Sequence, residues 1–418
     1  MKRFIPVLFL FFLPLSFAAE NSQRLSAEVL WQLQRVGQPI VSPDGGQVVV
    51  PVTTYPEDGG DAHSRLWLLS VDSDVLQRPL TAEEGSVSGP VFSPDGSQLA
   101  FVRKLNKEDA AQIYKMPMRS AGEAVKLTDV PTGVSAIKWV GEHIYFVSNV
   151  WPEMSFEEMQ EKIEADKESK LSAKVWNEMP YSYWDSWVPE DRQHHLYRIH
   201  DDGGDVEALT LPMGIELSRA DVDASDYDVS PDGKLLAFVA DGGEGGVYAD
   251  EDIFVSVVGS DKANNITKDN SAPDDRPMFS PDGRVLAFSR QHIAGFYADQ
   301  VKLMIHDVKS GKSRMVHRDW DRSAEGLAWA PDSKGLYGAI DDEGTRRVYY
   351  LPLNGDAPSA IKDKTDYGQL SVAGNGTLIA QNQSAVYPAR VVSIDTDRGK
   401  VRRLDKFNDA ILKDVSVG

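Results

Sequence analysis

Residue types able to do chemistry are sparse in this 418-residue chain, and their spacing builds no complete catalytic centre. A strained, exposed nucleophilic serine needs Gly-x-Ser-x-Gly. The nearest string, Gly85-Ser86-Val87-Ser88-Gly89, has valine at its third position. With no cysteine, a zinc site would rest on histidine and carboxylate, yet the eight histidines show no His-Glu-x-x-His spacing. His194-His195 open a strand pattern, so their side chains point to opposite faces and do not share a ligand. Asp221-x-Asp223-x-Ser225, followed by Asp232, has the cadence of a calcium loop, but Asp226 stands where glycine is required and the last ligand is not glutamate. No catalytic, cofactor-binding or metal-ligating residue is assigned.

What remains is a carboxylate pair, Glu157-Glu158, ahead of an aromatic run that includes Trp176, Tyr181, Tyr183, Trp184 and Trp187. Carboxylates suit an ammonium through charge-assisted hydrogen bonds, which makes Glu157 and Glu158 candidate substrate-binding residues. The same residues also fit a capping box, with Ser155 at the N-cap and Glu158 at N3. Phe156, Met159 and Ile163 follow at helical spacing in a charged run reaching Lys174. Trp184 and Trp187 are candidates to line a pocket or a domain interface, or to pack this segment onto its own blade.

The elements that position these residues come from a repeat. Ser42-Pro43-Asp44-Gly45 recurs at Ser93, Ser230 and Ser280, with a worn copy at Ala330-Pro331-Asp332-Ser333. Proline presets φ, aspartate bonds its own backbone and glycine takes positive φ, so each copy is a tight turn. Each feeds a short apolar run, such as Leu99-Ala100-Phe101-Val102, which reads as a buried strand. Matching strands place two further turns, at Lys138-Trp139-Val140-Gly141 and Ala373-Gly374-Asn375-Gly376. A period near 50 residues with β composition predicts an all-β, seven-bladed β-propeller. Leu80-Thr81, Leu127-Thr128, Leu209-Thr210 and Ile266-Thr267 close blades. The 92 residues between the turns at 138 and 230 are too many for one blade. The helical insertion, residues 151–192, therefore falls in the third blade.

Composition adds the compartment. Lys2-Arg3, the apolar Ile5 to Leu15 and Ser16-Phe17-Ala18 read as a signal peptide, residues 1–18, too short for a membrane span. Its removal takes away two positive charges, lowering the formal charge from −20 to −22. So acidic a surface argues against nucleic-acid and membrane partners. The absence of cysteine leaves stability to the core, and export to a bacterial periplasm fits. Residues 19–40 read as an N-terminal helical segment, 41–405 as the propeller and 406–418 as a tail with no closing strand pattern. The helix around Val29 to Leu33 and the Phe407–Gly418 tail are expected to expose apolar surface.

The turn array, the Arg35-Val36-Gly37 entry and Tyr183-Trp184-Asp185-Ser186-Trp187 followed by Arg192-Gln193-His194-His195-Leu196-Tyr197 resemble the prolyl oligopeptidase (S9) family of serine peptidases. The branch is that of acylaminoacyl peptidases and dipeptidyl-peptidase-like exported enzymes. The resemblance implies a substrate-gating propeller ahead of an α/β-hydrolase domain with a Ser-Asp-His triad, acting on short peptides. It also implies that a carboxylate pair on a propeller helix, here Glu157-Glu158, grips a substrate's amino terminus. The chain ends where the hydrolase domain is expected, so that domain is expected to be missing or a separate chain. The alternative is a stand-alone TolB-like periplasmic propeller that binds a protein or peptide. Residues 19–418 purified alone are expected to release no product from a chromogenic dipeptide; turnover abolished by a serine-directed fluorophosphonate overturns that expectation.

Overall fold

Each Ser-Pro-Asp-Gly turn is a closed circuit of hydrogen bonds. In the first, Ser42 Oγ donates to Asp44 Oδ1 (2.6 Å) and accepts from Gln47 N (3.0 Å), while Asp44 Oδ1 also accepts from Gly46 N (3.1 Å). Gly45 takes a φ of 78°, which side chains disfavour. The serine–aspartate bond recurs at 2.6, 2.7 and 2.7 Å from Ser93, Ser230 and Ser280. The serine hydroxyls, with backbone amides, hold Asp95 and Asp232 down at about 2. The strand behind each turn is buried: Leu99, Ala100 and Phe101 are all inaccessible to solvent.

The computed structural model describes residues 23–416 apart from 57–58, 73–76, 172, 174–175, 177–181, 184–185, 188–190, 219–221, 243–249 and 363–364. The expected signal peptide lies outside the described residues. Seven antiparallel sheets follow one another along the chain, each built from consecutive strands. Blade 1 runs from Arg35–Val36 to Gln77–Pro79, blade 2 from Ser86–Phe92 to Val125–Lys126 and blade 3 from Ser135–Val140 to Glu207–Ala208. Blades 4 and 5 run from Tyr227–Val229 to Ala263–Asn265 and from Asp274–Phe279 to Lys312–Val316. Blades 6 and 7 run from Leu327–Trp329 to Ser359–Lys362 and from Asp366–Val372 to Lys400–Arg403. First strands of neighbouring blades touch one another, so they line the axis of a seven-bladed propeller.

First strands are the least regular. Register shifts fall between Ser88 and Val91, Ser135 and Lys138, Asp275 and Met278, and Gly368 and Ser371. Left-handed residues sit within these four shifts: Gly89, Ala136, Arg276 and Gln369, with φ of 55°, 53°, 55° and 50°. Such bulges add local twist and leave one residue unpaired.

The closing threonines explain a second recurring motif. Thr81, Thr128, Thr210 and Thr267 use Oγ1 to accept the backbone amides of Leu66, Ile113, Leu196 and Ile253, at 3.1, 2.9, 3.0 and 2.8 Å. Asp405 Oδ2 does the same for Val391 N at 2.7 Å in blade 7. In blades 2, 3 and 4 the residue before the amide completes the corner. Gln112 Oε1 and Asp252 Oδ1 accept from Thr128 and Thr267 Oγ1, and His195 Nδ1 lies 3.0 Å from Thr210 Oγ1.

Several expectations change against the structure. The turn in blade 3 is a two-residue hairpin over Gly141-Glu142, with Val140 opposite His143, and Trp139 belongs to the strand. A shorter connection needs no proline or aspartate, which is why the motif is missing there. Blade 1 begins at Arg35, ahead of residue 41, because the strand inside each turn precedes the motif. The tail carries helix α3 (Asp409–Leu412) and a short strand, Val415–Ser416, paired in parallel with Gln23–Arg24. In helix α1 (Ala27–Gln32), Val29 and the following Leu33 are buried, as is Phe407, whose ring meets Trp67 edge-on at 5.3 Å. Phe407 thus packs on the propeller, and Leu30 and Trp31 are the exposed apolar part of the entry helix.

Thr267→Ala is expected to cost about 1–3 kcal/mol, since it strands the buried Ile253 amide and an Asp252 oxygen. Thr267→Ser is expected to retain most of the stability. Denaturant unfolding of both variants checks this; equal midpoints would show that the corner bond is dispensable.

Candidate functional face

An antiparallel four-stranded blade sends its second-to-third loop and its exit to one end, and its first-to-second turn and third-to-fourth hairpin to the other. The Ser-Pro-Asp-Gly turns define one face of the ring, here the turn face. The opposite face receives both chain ends and the loop of blade 3 that contains helix α2 (Phe156–Glu168). Of thirteen large apolar side chains left exposed among the described residues, eleven lie on that second face. They include Leu30 and Trp31 of the entry helix, Tyr55 of blade 1, Leu105 of blade 2 and Trp187 beyond α2. Trp31 rests against Tyr55 with ring centroids 5.1 Å apart and donates Nε1–H to Pro56 O at 3.2 Å.

In blade 5 the same face carries Ile293, Phe296 and Tyr297, the last 99% exposed. Their loop is pre-ordered by Asp299, whose carboxylate accepts from the amides of His292, Ile293 and Gln300 at 2.7, 3.0 and 2.8 Å. An ordered loop that holds aromatics in water is suited to contact something.

Helix α2 is fixed by its apolar stripe. Met159 is buried against blade 3, with Phe156 and Ile163 beside it, and the Phe156 ring lies 5.8 Å from that of Tyr197. Trp151 anchors the segment: its Nε1–H donates to Asp191 Oδ2 (2.7 Å) and the Arg192 guanidinium lies 4.1 Å over its ring. The polar stripe, with Glu157 and Glu158, faces outward. Glu158 closes the capping box, accepting from Ser155 N at 2.7 Å while Ser155 Oγ accepts from Glu158 N at 3.3 Å. Those bonds lower its carboxyl below the usual range. Glu157 makes no hydrogen bond among the described residues, so its carboxylate is the more available of the two. The helix ends at Glu168, short of Lys174, where Ser169 leaves helical geometry. Trp187 is exposed in a two-residue hairpin with Ser182, its ring 6.1 Å from Trp176, whereas Trp184 lies outside the described residues.

His195 is buried between Thr210 and Gln193 Oε1 (3.1 Å), and burial pushes it down to about 4, so it is neutral. His194 faces away and meets Ser218 O at 3.1 Å. Asp223 and Asp226 of the calcium-like string bond each other's surroundings: Asp226 Oδ2 accepts from Asp223 N at 2.8 Å.

Sequence reasoning missed a set of carboxylates on blades 4 and 5, because its members lie far apart in the chain. Burial pushes Asp226 up to about 7, reinforced by Asp223, Glu251 and Asp275. Burial likewise raises Glu251, with Asp275 and Asp241 adding repulsion. Asp275 is raised by burial and by Glu325 and Asp223, against the opposing pull of Arg276 and the Ser289 hydroxyl. A raised carboxyl contributes stability that is complete below the unfolded value near pH 4 and is lost as pH rises through the folded value. Thermal stability is therefore expected to decline from about pH 4 to 7, and Asp226→Asn to flatten that decline by a few kcal/mol. Parallel melting curves for variant and wild type across that range would contradict it.

No family model matches the chain. Dipeptidyl-peptidase 5 of Porphyromonas gingivalis is 24% identical over 414 residues, covering 95% of this chain and 58% of that protein. The chain thus spans well under two thirds of the length of this curated relative. Pyrococcus horikoshii acylaminoacyl peptidase superposes with a TM-score of 0.70 at 16% identity, over 93% of this chain and 55% of its own. The β-propeller domain of the trilobed protease from Pyrococcus furiosus gives a TM-score of 0.62 at 13% identity, over 90% of this chain and 99% of that domain. The chain corresponds to the β-propeller part of the prolyl oligopeptidase (S9) peptidase family.

Proposed function

We propose that this chain is the substrate-gating propeller of an exported S9 peptidase of the dipeptidyl-peptidase type, its α2-bearing face turned toward a hydrolase domain. The observation that carries this reading is the gathering of both chain ends, helix α2 and most exposed apolar side chains on one face. A ring of blades excludes folded proteins by size and admits short peptides. Bond cleavage belongs to a Ser-His-Asp centre with an oxyanion hole in the hydrolase domain. Glu157 is the residue placed to meet a substrate's ammonium by a charge-assisted hydrogen bond, with Glu158 holding the helix start and adding negative charge. Trp187, exposed on the same face, is the aromatic placed to border a peptide's entry. Export to the periplasm is supported by the charged and apolar character of residues 1–18.

In the enzyme containing this propeller, Glu157→Gln is expected to raise KM for a peptide with a free amino terminus about tenfold, roughly 1.4 kcal/mol. The expected kcat is unchanged, and an Nα-acetylated peptide is expected to be insensitive to the substitution. Equal KM values for variant and wild type would remove the amine anchor. Release of dipeptides from a folded protein as fast as from a short peptide would remove the filter.

A further inference from the structure

On the turn face, blades 6 and 7 part to form a cleft of about 940 Å³, within the size range of small-ligand sites. It opens between blades 6 and 7, which with blade 3 are the blades whose turns depart from the repeat. In blade 6, alanine replaces the serine, so Asp332 lacks the hydroxyl donor that its counterparts have in the complete copies. Among the described residues its Oδ1 accepts only the Lys334 amide, at 3.0 Å, and the Lys334 ammonium lies 3.8 Å from the other oxygen. Ser333 takes the glycine position at a φ of 60°, and its Oγ accepts Asp282 N at 3.1 Å, tying the altered turn to blade 5. In blade 7 the aspartate is Asn375, whose amide donates to Asp44 O at 2.9 Å. Local rules broken within an otherwise consistent repeat tend to mark functional positions.

Two tyrosines lie in the cleft. Tyr337 and Tyr350 face each other across adjacent strands, ring centroids 5.4 Å apart and planes inclined at 51°. Gly335 makes room for the second ring: a Cβ there would fall 2.6 Å from Tyr350 Cζ. Among the described lining residues, four aspartates stand against one arginine, Arg402. Burial raises the Tyr337 phenol against the opposing Thr396 hydrogen bond, and the Asp332 and Asp397 carboxylates add to the rise, so both acids act on that ring. Inclined aromatic faces with adjacent carboxylates favour a desolvated organic cation over an anion or a neutral solute.

We propose that the cleft between blades 6 and 7 binds an organic cation carrying an alkylammonium group, held over Tyr337 and Tyr350 and paired with Asp332 and Asp397. The ammonium has two chemical sources, a lysine side chain of a peptide or a free polyamine. Both present the same group to the rings, on the face opposite helix α2.

Calorimetric titration of the 418-residue chain with spermidine, with an Nα-acetyl-lysine-containing tripeptide amide, and with its Nε-acetylated analogue separates the cases. Submillimolar binding of spermidine alone supports the site with a polyamine ligand, and binding of the lysine peptide alone supports it with a peptide ligand. In either case Asp332→Asn, an exposed change that removes charge only, and Tyr350→Ala are each expected to weaken binding about tenfold or more. The Nε-acetylated peptide is expected to be silent. The proposal is overturned if neither cation binds at millimolar concentration, if the neutral analogue binds as well, or if Asp332→Asn leaves affinity unchanged.

Discussion

A ring of sheets has one place where sequence neighbours are unavailable, the seam between the last blade and the first. No strand crosses it here, since each blade is drawn from its own stretch of chain. Closure therefore rests mainly on side chains, beside one backbone bond from Gly374 N to Pro43 O at 3.2 Å. Val36, Val41, Val48 and Val50 of blade 1 form one buried cluster with Ala373, Ile379 and Val391 of blade 7 and with Phe407. Polar bonds fix its register. Gln381 Nε2 donates to the carbonyls of both Val36 and Gly37 at 2.7 Å, and Ser371 Oγ accepts from Val41 N at 3.0 Å. Asn408 exchanges two hydrogen bonds with the Gln34 backbone, at 2.8 and 2.9 Å. The parallel pairing of Gln23–Arg24 with Val415–Ser416 adds a clasp outside the ring. Apolar burial supplies most of the attraction at such a seam, and the directional bonds choose one alignment from many.

Away from the seam, the same two devices recur with small substitutions. The serine–aspartate turn ties the first strand to the second, and the closing threonine seals the start of the third. Their partners vary while the bonding need persists: Gln112, His195 and Asp252 occupy equivalent corners in blades 2, 3 and 4. His195 is therefore a structural histidine, neutral and enclosed, which removes it from any catalytic inventory. At the altered turns of Ala330 and Asn375 a polar, aromatic cleft lies between blades 6 and 7 on the turn face, above cores that stay packed together.

The two faces differ in character for a topological reason. Short turns restrict one face, while loops and chain ends collect on the other, where length is tolerated. Helix α2 and the Asp299-braced loop of blade 5 use that freedom to hold carboxylates and aromatics outward from a rigid base. On blades 4 and 5 burial raises a set of carboxylates led by Asp226, so their ionisation costs stability. Binding groups set on loops above a stiff scaffold follow the same logic.

The blade count was legible because turn chemistry is local: proline, aspartate and glycine act within four residues, and the strand that follows each turn is uniformly apolar. Helix α2 was legible for the same reason, from Ser155 and Glu158 at one end and the Phe156, Met159 and Ile163 stripe. First strands were not, since bulges at residues such as Ala136 and Gln369 break the alternation that marks a strand. The Gln23–Arg24 pairing and the carboxylates of Asp226, Glu251 and Asp275 were equally hidden, because each joins residues that only ring closure or blade packing brings together. Sequence by itself determined the repeated unit and its number. Tertiary structure decided how the ends meet, which acidic groups share a space and which face is left apolar, because those depend on distances that no local pattern encodes.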